Sequence, residues 1–305
     1  MKNTRPVYDP ETRMTPMDLQ AITDSVGAVA VPLFAVASMA AVGLGQTVQE
    51  FLAPLRSARL LLSGAVANFL VAPAVALALT ALLPIPADAR TGLMVLACAA
   101  GAPFALKLTG LARGHMPSAS ALLAVLLVAT TLFMPVVLPL LLPGAEVSAA
   151  SIAAVLVPTM LLPLGAAIAV RQFRPGLAAR LQGPVRRLSL WSMLVMLANQ
   201  FLADHRELAG LLGTGTVLAI VLFTLANLGA GWALGAMTPG SGSLVGISAS
   251  QRNMGVATLV AVANFGDSSV VVTVVLAGFL ALVLLLPLTW LAGRRWGGRA
   301  AVPAG

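Results

Sequence analysis

The amino-acid sequence predicts an all-α, polytopic membrane protein of about nine transmembrane helices, built as two inverted repeats that each contain one broken helix. Two observations predict this class. Of the 305 residues, 59% are hydrophobic and only 9% are charged, whereas soluble domains carry about 25% charged residues. Apolar runs of about 18 or more residues, long enough to cross a bilayer, also recur along most of the chain.

The first half of the chain supplies four predicted spans after a polar tail. We place these spans at 24–46, 58–83, 89–112 and 116–142. The third span is interrupted, because AAGAPFALK in its middle holds Gly101 and Pro103. Such a break is tolerated at membrane depth where the backbone lines a cavity or packs within protein. The first 20 residues lack the apolar region of a signal peptide.

The second half supplies five more predicted spans. We place them at 148–170, 188–203, 209–237, 243–265 and 268–292. The connection RQFRPGLAARLQGPVRR, with five arginines, is predicted to be the most basic loop. The eighth span opens with the small and polar ISASQRNMG, which carries Arg252. This span is therefore the second predicted broken helix.

Loop charges predict the orientation in the membrane. Most basic residues lie in connections between spans, and an excess of Lys and Arg marks the cytoplasmic side. The five-arginine loop and the C-terminus are therefore predicted to be cytoplasmic in a bacterial inner membrane. The net charge of +8 is explained by this topology and does not indicate nucleic-acid binding.

Two stretches of the chain repeat the same order of features. A helix with a lone Asn (Asn68 or Asn227) precedes a broken helix with one basic residue, and a long apolar span with a late proline follows. The predicted divisions are a tail at 1–23, a first repeat at 24–142, a second repeat at 143–292 and a basic tail at 293–305. Paired broken helices in inverted repeats indicate a transport site near the bilayer midplane.

Lys107 and Arg252 are the basic residues in the interior of the predicted spans, while Arg59 and Arg90 stand at span ends and all ten acidic residues fall in tails, loops or span ends. An unpaired charge at membrane depth is costly, and a bound anion would relieve that cost. Half-helix N-termini at the breaks would add positive potential. We therefore predict an anion site. Its further candidate residues are Asn253, Asn68, Asn227, Ser248, Ser250, Gln251, Pro103 and Thr109.

Structural interpretations of the same residues stay open at this stage. Lys107 lies close to a cytoplasmic loop and could extend its ammonium group to the interface. Arg252 could be a structural arginine bonded to free carbonyl groups at the helix break. Asn68 and Asn227 could join neighbouring helices through hydrogen bonds.

The sequence does not predict an enzyme. Two His and one Cys do not make a convincing metal site, and no P-loop, GxSxG or HExxH motif occurs. We therefore expect neither a metal nor a cofactor, and any active transport would be secondary.

Three stretches carry a resemblance to a known family. They are MAAVGLGQTVQEFLAPLRSARLLLSGAVANFLVAPAVALALTALLPIP, LACAAGAPFALKLTGLARGHMPSASALLAVLLVATTLFMPVVLPLLLP and ISASQRNMGVATLVAVANF. With the order of spans, they make about 26–292 similar to the bile acid:sodium symporter family. The resemblance implies ten helices, or nine in members lacking the first, with two broken helices crossing near the substrate and sodium sites. It also implies a monomer in which a core domain rocks against a panel domain.

The chain departs from the family pattern at its sodium ligands. Residues other than the family's ligands stand at Ala105, Leu106, Ala119, Leu123, Ser248 and Arg252, and Asn68 replaces a glutamine. We interpret Lys107 and Arg252 as fixed cations that stand in for sodium ions. The expected function is sodium-independent transport of small organic anions, of the carboxylate or sulfonate type, by alternating access across the lipid bilayer.

Two other functions remain open from the sequence. The protein could be a sodium-coupled symporter that binds the ion through backbone carbonyls together with Ser248, Ser250 and Gln251. It could also be a non-transporting membrane protein that binds or senses a ligand. Transport of the anion across a membrane would separate these functions.

Overall fold

The computed structural model describes residues 16–52, 57–143, 147–266 and 268–296, and all regular structure in these ranges is helical. The helices are α1 (Pro16–Leu44), α2 (Val48–Leu52), α3 (Ala58–Val66), α4 (Ala72–Leu82), α5 (Ala87–Cys98), α6 (Phe104–Leu111), α7 (Met116–Leu141), α8 (Ala149–Leu156), α9 (Leu162–Phe173), α10 (Pro175–Ala203), α11 (His205–Leu212), α12 (Thr216–Gly235), α13 (Gly242–Ser250), α14 (Met254–Phe265) and α15 (Ser268–Trp296). Two π-helical turns, Ala67–Val71 and Val157–Leu161, join α3 to α4 and α8 to α9.

Six helical segments of the described chain are long and apolar enough to cross a membrane. They are Gln20–Leu44, Ala58–Leu82, Met116–Leu141, Ala149–Phe173, Thr216–Gly235 and Ser269–Arg294. Large apolar side chains on them are exposed, such as Leu82 at 78% and Leu140 at 73%, as expected for surfaces that face lipid. The predicted class, an all-α polytopic membrane protein, is confirmed. The count of nine spans stays a prediction, because it adds the two broken helices and part of α10.

Both predicted broken helices are present, and they meet at their breaks. The first break, 99–103, separates α5 from α6, and the second, 251–253, separates α13 from α14. The backbone N–H of Asn253 donates to the carbonyl of Ala99 at 2.9 Å, and Asn253 Nδ2 donates to the carbonyl of Gly101 at 3.0 Å. Gly101 has a φ of +79°, a conformation that glycine adopts without steric cost.

The helices form two packed groups around these breaks. The first, called here the panel group, consists of α1, α9 and α10, which pack along one another. The second, called here the core group, contains α3 to α7 and α12 to α15, including both broken helices. The division into two repeats stays a prediction that the packing does not test.

The basic segment predicted to be a loop is helical instead. Helix α10 begins at Pro175 and continues through Pro184 to Ala203. Proline fits the first helical position because its missing N–H needs no partner there, and the Ala, Leu and Arg residues that follow favour helix. The packing of α10 along α1 keeps the helix continuous across Pro184. Arg186 therefore lies on a helix of the panel group.

Three predicted boundaries also need correction. The seventh predicted span is two helices, α11 and α12, separated at Gly215, which has a φ of +78°. Helix α1 begins at Pro16, inside the predicted tail, while 1–15 lie outside the described residues. Helix α15 continues past 292 to Trp296, and the rest of the predicted basic tail lies outside the described residues.

Candidate functional site

Arg252 lies in the second break, and only 2% of its surface is exposed. Its guanidinium donates four hydrogen bonds to oxygen atoms of the protein. Nη1 donates to Asn68 Oδ1 at 2.8 Å, and Nη2 donates to the backbone carbonyls of Asn68, at 3.3 Å, and Ala97. Nε donates to the carbonyl of Leu96 at 3.3 Å. Arg252 thus makes the contacts that the structural interpretation of this residue predicted.

The local sequence explains why these oxygen atoms are free to accept. Helix α5 ends at Cys98, and the last carbonyl groups of a helix have no partner within it. They also form the negative end of the helix dipole, which favours a cation. In the π-helical turn, the N–H of Ala72 donates to the carbonyl of Ala67. In that register the partner of Asn68 would be Pro73, which has no N–H to donate.

Asn68 and Ser248 orient Arg252. Asn68 is fully buried, and its Nδ2 donates to the carbonyl of Gly64 at 3.0 Å and to Ser248 Oγ at 3.3 Å. This leaves Asn68 Oδ1 facing the guanidinium. We call Asn68, Ser248 and Arg252 the crossing cluster. It joins the π-helical turn between α3 and α4 to α13 and to the second break.

A central cavity of about 320 Å³ lies between the panel group and the two breaks. Five of the predicted site residues line it: Pro103, Lys107, Gln251, Arg252 and Asn253. Because Arg252 is nearly enclosed by its hydrogen-bond partners, it contributes positive potential at the inner wall but has little surface to offer a ligand.

Two exposed cations line the central cavity from different helices. Lys107 projects from α6, with its Nζ 5.0 Å from the ring centroid of Phe104. Arg186 projects from α10, and its charge acts electrostatically on Lys107. Sequence reasoning missed Arg186 because it placed this residue in a loop. The high helix propensity of LAARLQ, read together with Pro175 at a helix start, could have identified it.

The remaining wall of the cavity is partly polar and mostly apolar. Gln46, in the connection after α1, donates from Nε2 to the carbonyl of Ser120 in α7 at 2.9 Å and so links the end of α1 to the core group. Gly255 allows α1 to approach α14 closely, since a Cβ there would lie 2.5 Å from the ring of Phe34. The apolar lining includes Leu190 and Phe279.

Three predicted site residues lie away from the central cavity. Asn227 is fully buried, and its Nδ2 donates to the carbonyl of Phe223 at 2.8 Å. The hydroxyl of Ser250 donates to the carbonyl of Gly246 at 2.8 Å. Thr109 borders a separate space of about 10 Å³, enough for one water molecule at most.

The arrangement defines a class of protein. Discontinuous helices that cross beside a charged cavity within a bundle of membrane-spanning helices are typical of secondary transporters. A comparison with protein families matches residues 32–210 to the sodium bile acid symporter family. The chain belongs to this family of transporters, as its resemblance predicted. The match includes the first break and α10, while the second break lies beyond it. No curated protein matches the chain.

Proposed function

We infer that the protein is a secondary transporter of small organic anions, of the carboxylate or sulfonate type, working as a monomer in the bacterial inner membrane with its C-terminus in the cytoplasm. The observation that carries this proposal is the pair of exposed cations, Lys107 and Arg186, in a cavity of about 320 Å³. None of the described residues that line this cavity is acidic. An anion is therefore the ligand that this cavity would attract.

The position of the cavity supports transport by alternating access. It separates helices of the panel group from both breaks of the core group, so relative motion of the two groups would open or close it. Lys107 precedes the connection that carries Arg113, and Arg186 lies in the basic half of α10. The excess of basic residues supports a cytoplasmic location for this side, and the exposure of both cations there supports a state that is open inward.

The crossing cluster supports transport without sodium. A metal cation at a helix crossing needs carbonyl and side-chain oxygen atoms as ligands. Here the guanidinium of Arg252 already takes the oxygen atoms of Asn68, Leu96 and Ala97, and its charge would repel a second cation. Since this charge is tethered, it cannot be released with the substrate. The transporter would then work as a uniporter, an exchanger or a proton-linked carrier.

Thermal unfolding of the purified full chain tests this proposal. Carboxylates and sulfonates are added in sodium buffer and in choline buffer, to the wild type, Lys107→Gln and Arg187→Gln. Arg187 is the matched control because it is exposed on α10 but does not line the cavity. Ligand at about 100 times its Kd should add about 2.7 kcal/mol of stability. We expect equal stabilisation in both buffers, lost only in Lys107→Gln.

Flux into proteoliposomes completes the test. Anion uptake without sodium supports the proposal. Stabilisation and uptake that both require sodium would instead indicate a sodium-coupled symporter. Stabilisation with no flux in any buffer would indicate a membrane protein that binds or senses the anion without transporting it.

A further inference from the structure

We propose that the substrate is a small organic dianion, with one anionic group bound to Lys107 and the other to Arg186. The inference rests on the proposed function, because it takes the central cavity as the transport site. It deepens that function by assigning the charge of the substrate.

The proposal rests on the number of cations at the cavity wall that have no ion-pair or hydrogen-bond partner among the described residues. Three cations line the described part of the wall: Lys107, Arg186 and Arg252. Arg252 is 2% exposed and donates four hydrogen bonds to protein oxygens, so its charge is already stabilised. Lys107 and Arg186 are exposed, and neither forms an ion pair or a hydrogen bond with a described residue, although Lys107 lies against the ring of Phe104. Two positive charges are therefore available to a ligand.

The two cations lie on different helix groups. Lys107 belongs to the core group through α6, and Arg186 belongs to the panel group through α10. Closure of the cavity would remove both charges from water together, and two uncompensated like charges in a closed site are strongly unfavourable. A monoanion compensates one of them and leaves a net positive charge. A dianion compensates both, so it suits the closed state better than a monoanion of the same size.

The rest of the wall fits a dianion with a hydrocarbon linker. Apolar side chains, among them Phe34, Leu190 and Phe279, make up most of the lining. Gln182 and Ser189, on the same helix as Arg186, add polar groups on that side of the cavity. The volume of about 320 Å³ lies at the small end of the range for ligand cavities, about 300–1,000 Å³. This favours a small dicarboxylate, or a molecule with one carboxylate and one sulfonate.

Matched anions test the proposal on the purified full chain. Phthalate and benzoate share a ring but carry two carboxylates and one, and succinate and butyrate form an aliphatic pair. Apparent Kd values are measured by thermal-shift titration at constant ionic strength in choline buffer. In the wild type, each dianion should bind roughly tenfold more tightly than its monoanion partner, the change expected from one additional charge pair worth about 1.4 kcal/mol. The test also uses Arg186→Gln and the control Arg187→Gln. Both arginines are exposed, so neither variant should compromise folding.

The variants assign the second anionic group. Arg186→Gln should raise the Kd of each dianion to that of its monoanion partner and leave the Kd of the monoanion unchanged. Arg187→Gln should bind both members of each pair as the wild type does. Equal Kd values for both members of each pair in the wild type would overturn the proposal. So would an equal loss for both members in Arg186→Gln. If either of these results is found and monoanions still bind, through Lys107, the proposed transport function stands. If neither monoanions nor dianions bind, the proposed function fails as well.

Discussion

Replacing Arg252 by alanine tests how the crossing of the two broken helices is held together. In the wild type, four oxygen acceptors receive hydrogen bonds from the guanidinium. One of them, the carbonyl of Leu96, also accepts from the N–H of Ala99 at 3.0 Å and so keeps a partner. The substitution therefore leaves three acceptors without a partner: the carbonyl of Ala97 and both oxygens of Asn68.

The expected loss of stability follows from these three acceptors. A buried acceptor without a partner costs about 1–3 kcal/mol, so the three together cost about 3–9 kcal/mol. Removing the guanidinium also removes its own desolvation penalty, and water can enter the vacated space. We therefore expect a loss near the low end of the range, about 3–5 kcal/mol. At about 2–4 °C per kcal/mol, the unfolding midpoint should fall by roughly 10 °C.

Two assays would measure the effect. Unfolding in detergent, followed by tryptophan fluorescence, gives the midpoint for the wild type, Arg252→Ala and the exposed control Arg187→Ala. Labelling of Cys98 by a maleimide reports local opening, because this free thiol is fully buried beside Ala97. Arg252→Ala should label faster than the wild type, and the control should match the wild type in both assays.

Arg252→Lys and Arg252→Gln separate charge from geometry. Lysine keeps the charge but lacks the planar fork of donors, so its midpoint should lie between those of the wild type and the alanine variant. Glutamine removes the charge, and its midpoint should rise when sodium replaces choline, because the freed oxygens can then bind a metal cation. A midpoint for Arg252→Ala within about 2 °C of the wild type would refute the reasoning that the guanidinium holds the crossing.

Three further predictions concern packing, pH and transport. Gly231→Ala should lower stability by about 1–3 kcal/mol, because its Cβ would lie 2.9 Å from Gly246 Cα. Gly229→Ala on the same helix meets nothing within 4 Å, so it should not lower stability in the same unfolding assay. Burial, followed by the charge of Glu207, raises the pKa of Asp204 to about 6. Because this pKa lies above the unfolded value of about 3.9, the unfolding midpoint should rise as pH falls from 7 towards 5, and Asp204→Asn should flatten that profile. If the cavity can close only when a bound anion compensates both of its cations, uptake should be severalfold faster into vesicles preloaded with the anion than into empty vesicles. Equal uptake rates would contradict this requirement.

The amino-acid sequence by itself determined the protein class and the position of both breaks. Hydropathy is a local property, and long apolar runs can satisfy their backbone groups in a bilayer only as helices or closed barrels. Gly101 and Pro103 interrupt the first broken helix through their own backbone preferences, and the small, polar residues around Arg252 mark the second break. These features need no knowledge of distant contacts.

The tertiary structure decided what the charged residues do. The partners of Arg252 lie more than 150 positions away along the chain, and only the crossing of the breaks brings Asn68 and Ala97 to it. Packing of α10 along α1 keeps a helix across Pro184, against the local preference of proline, and this brings Arg186 to the same cavity as Lys107. The composition of a span reports that it lies in the membrane, but the partners of a charge depend on which helices pack beside it.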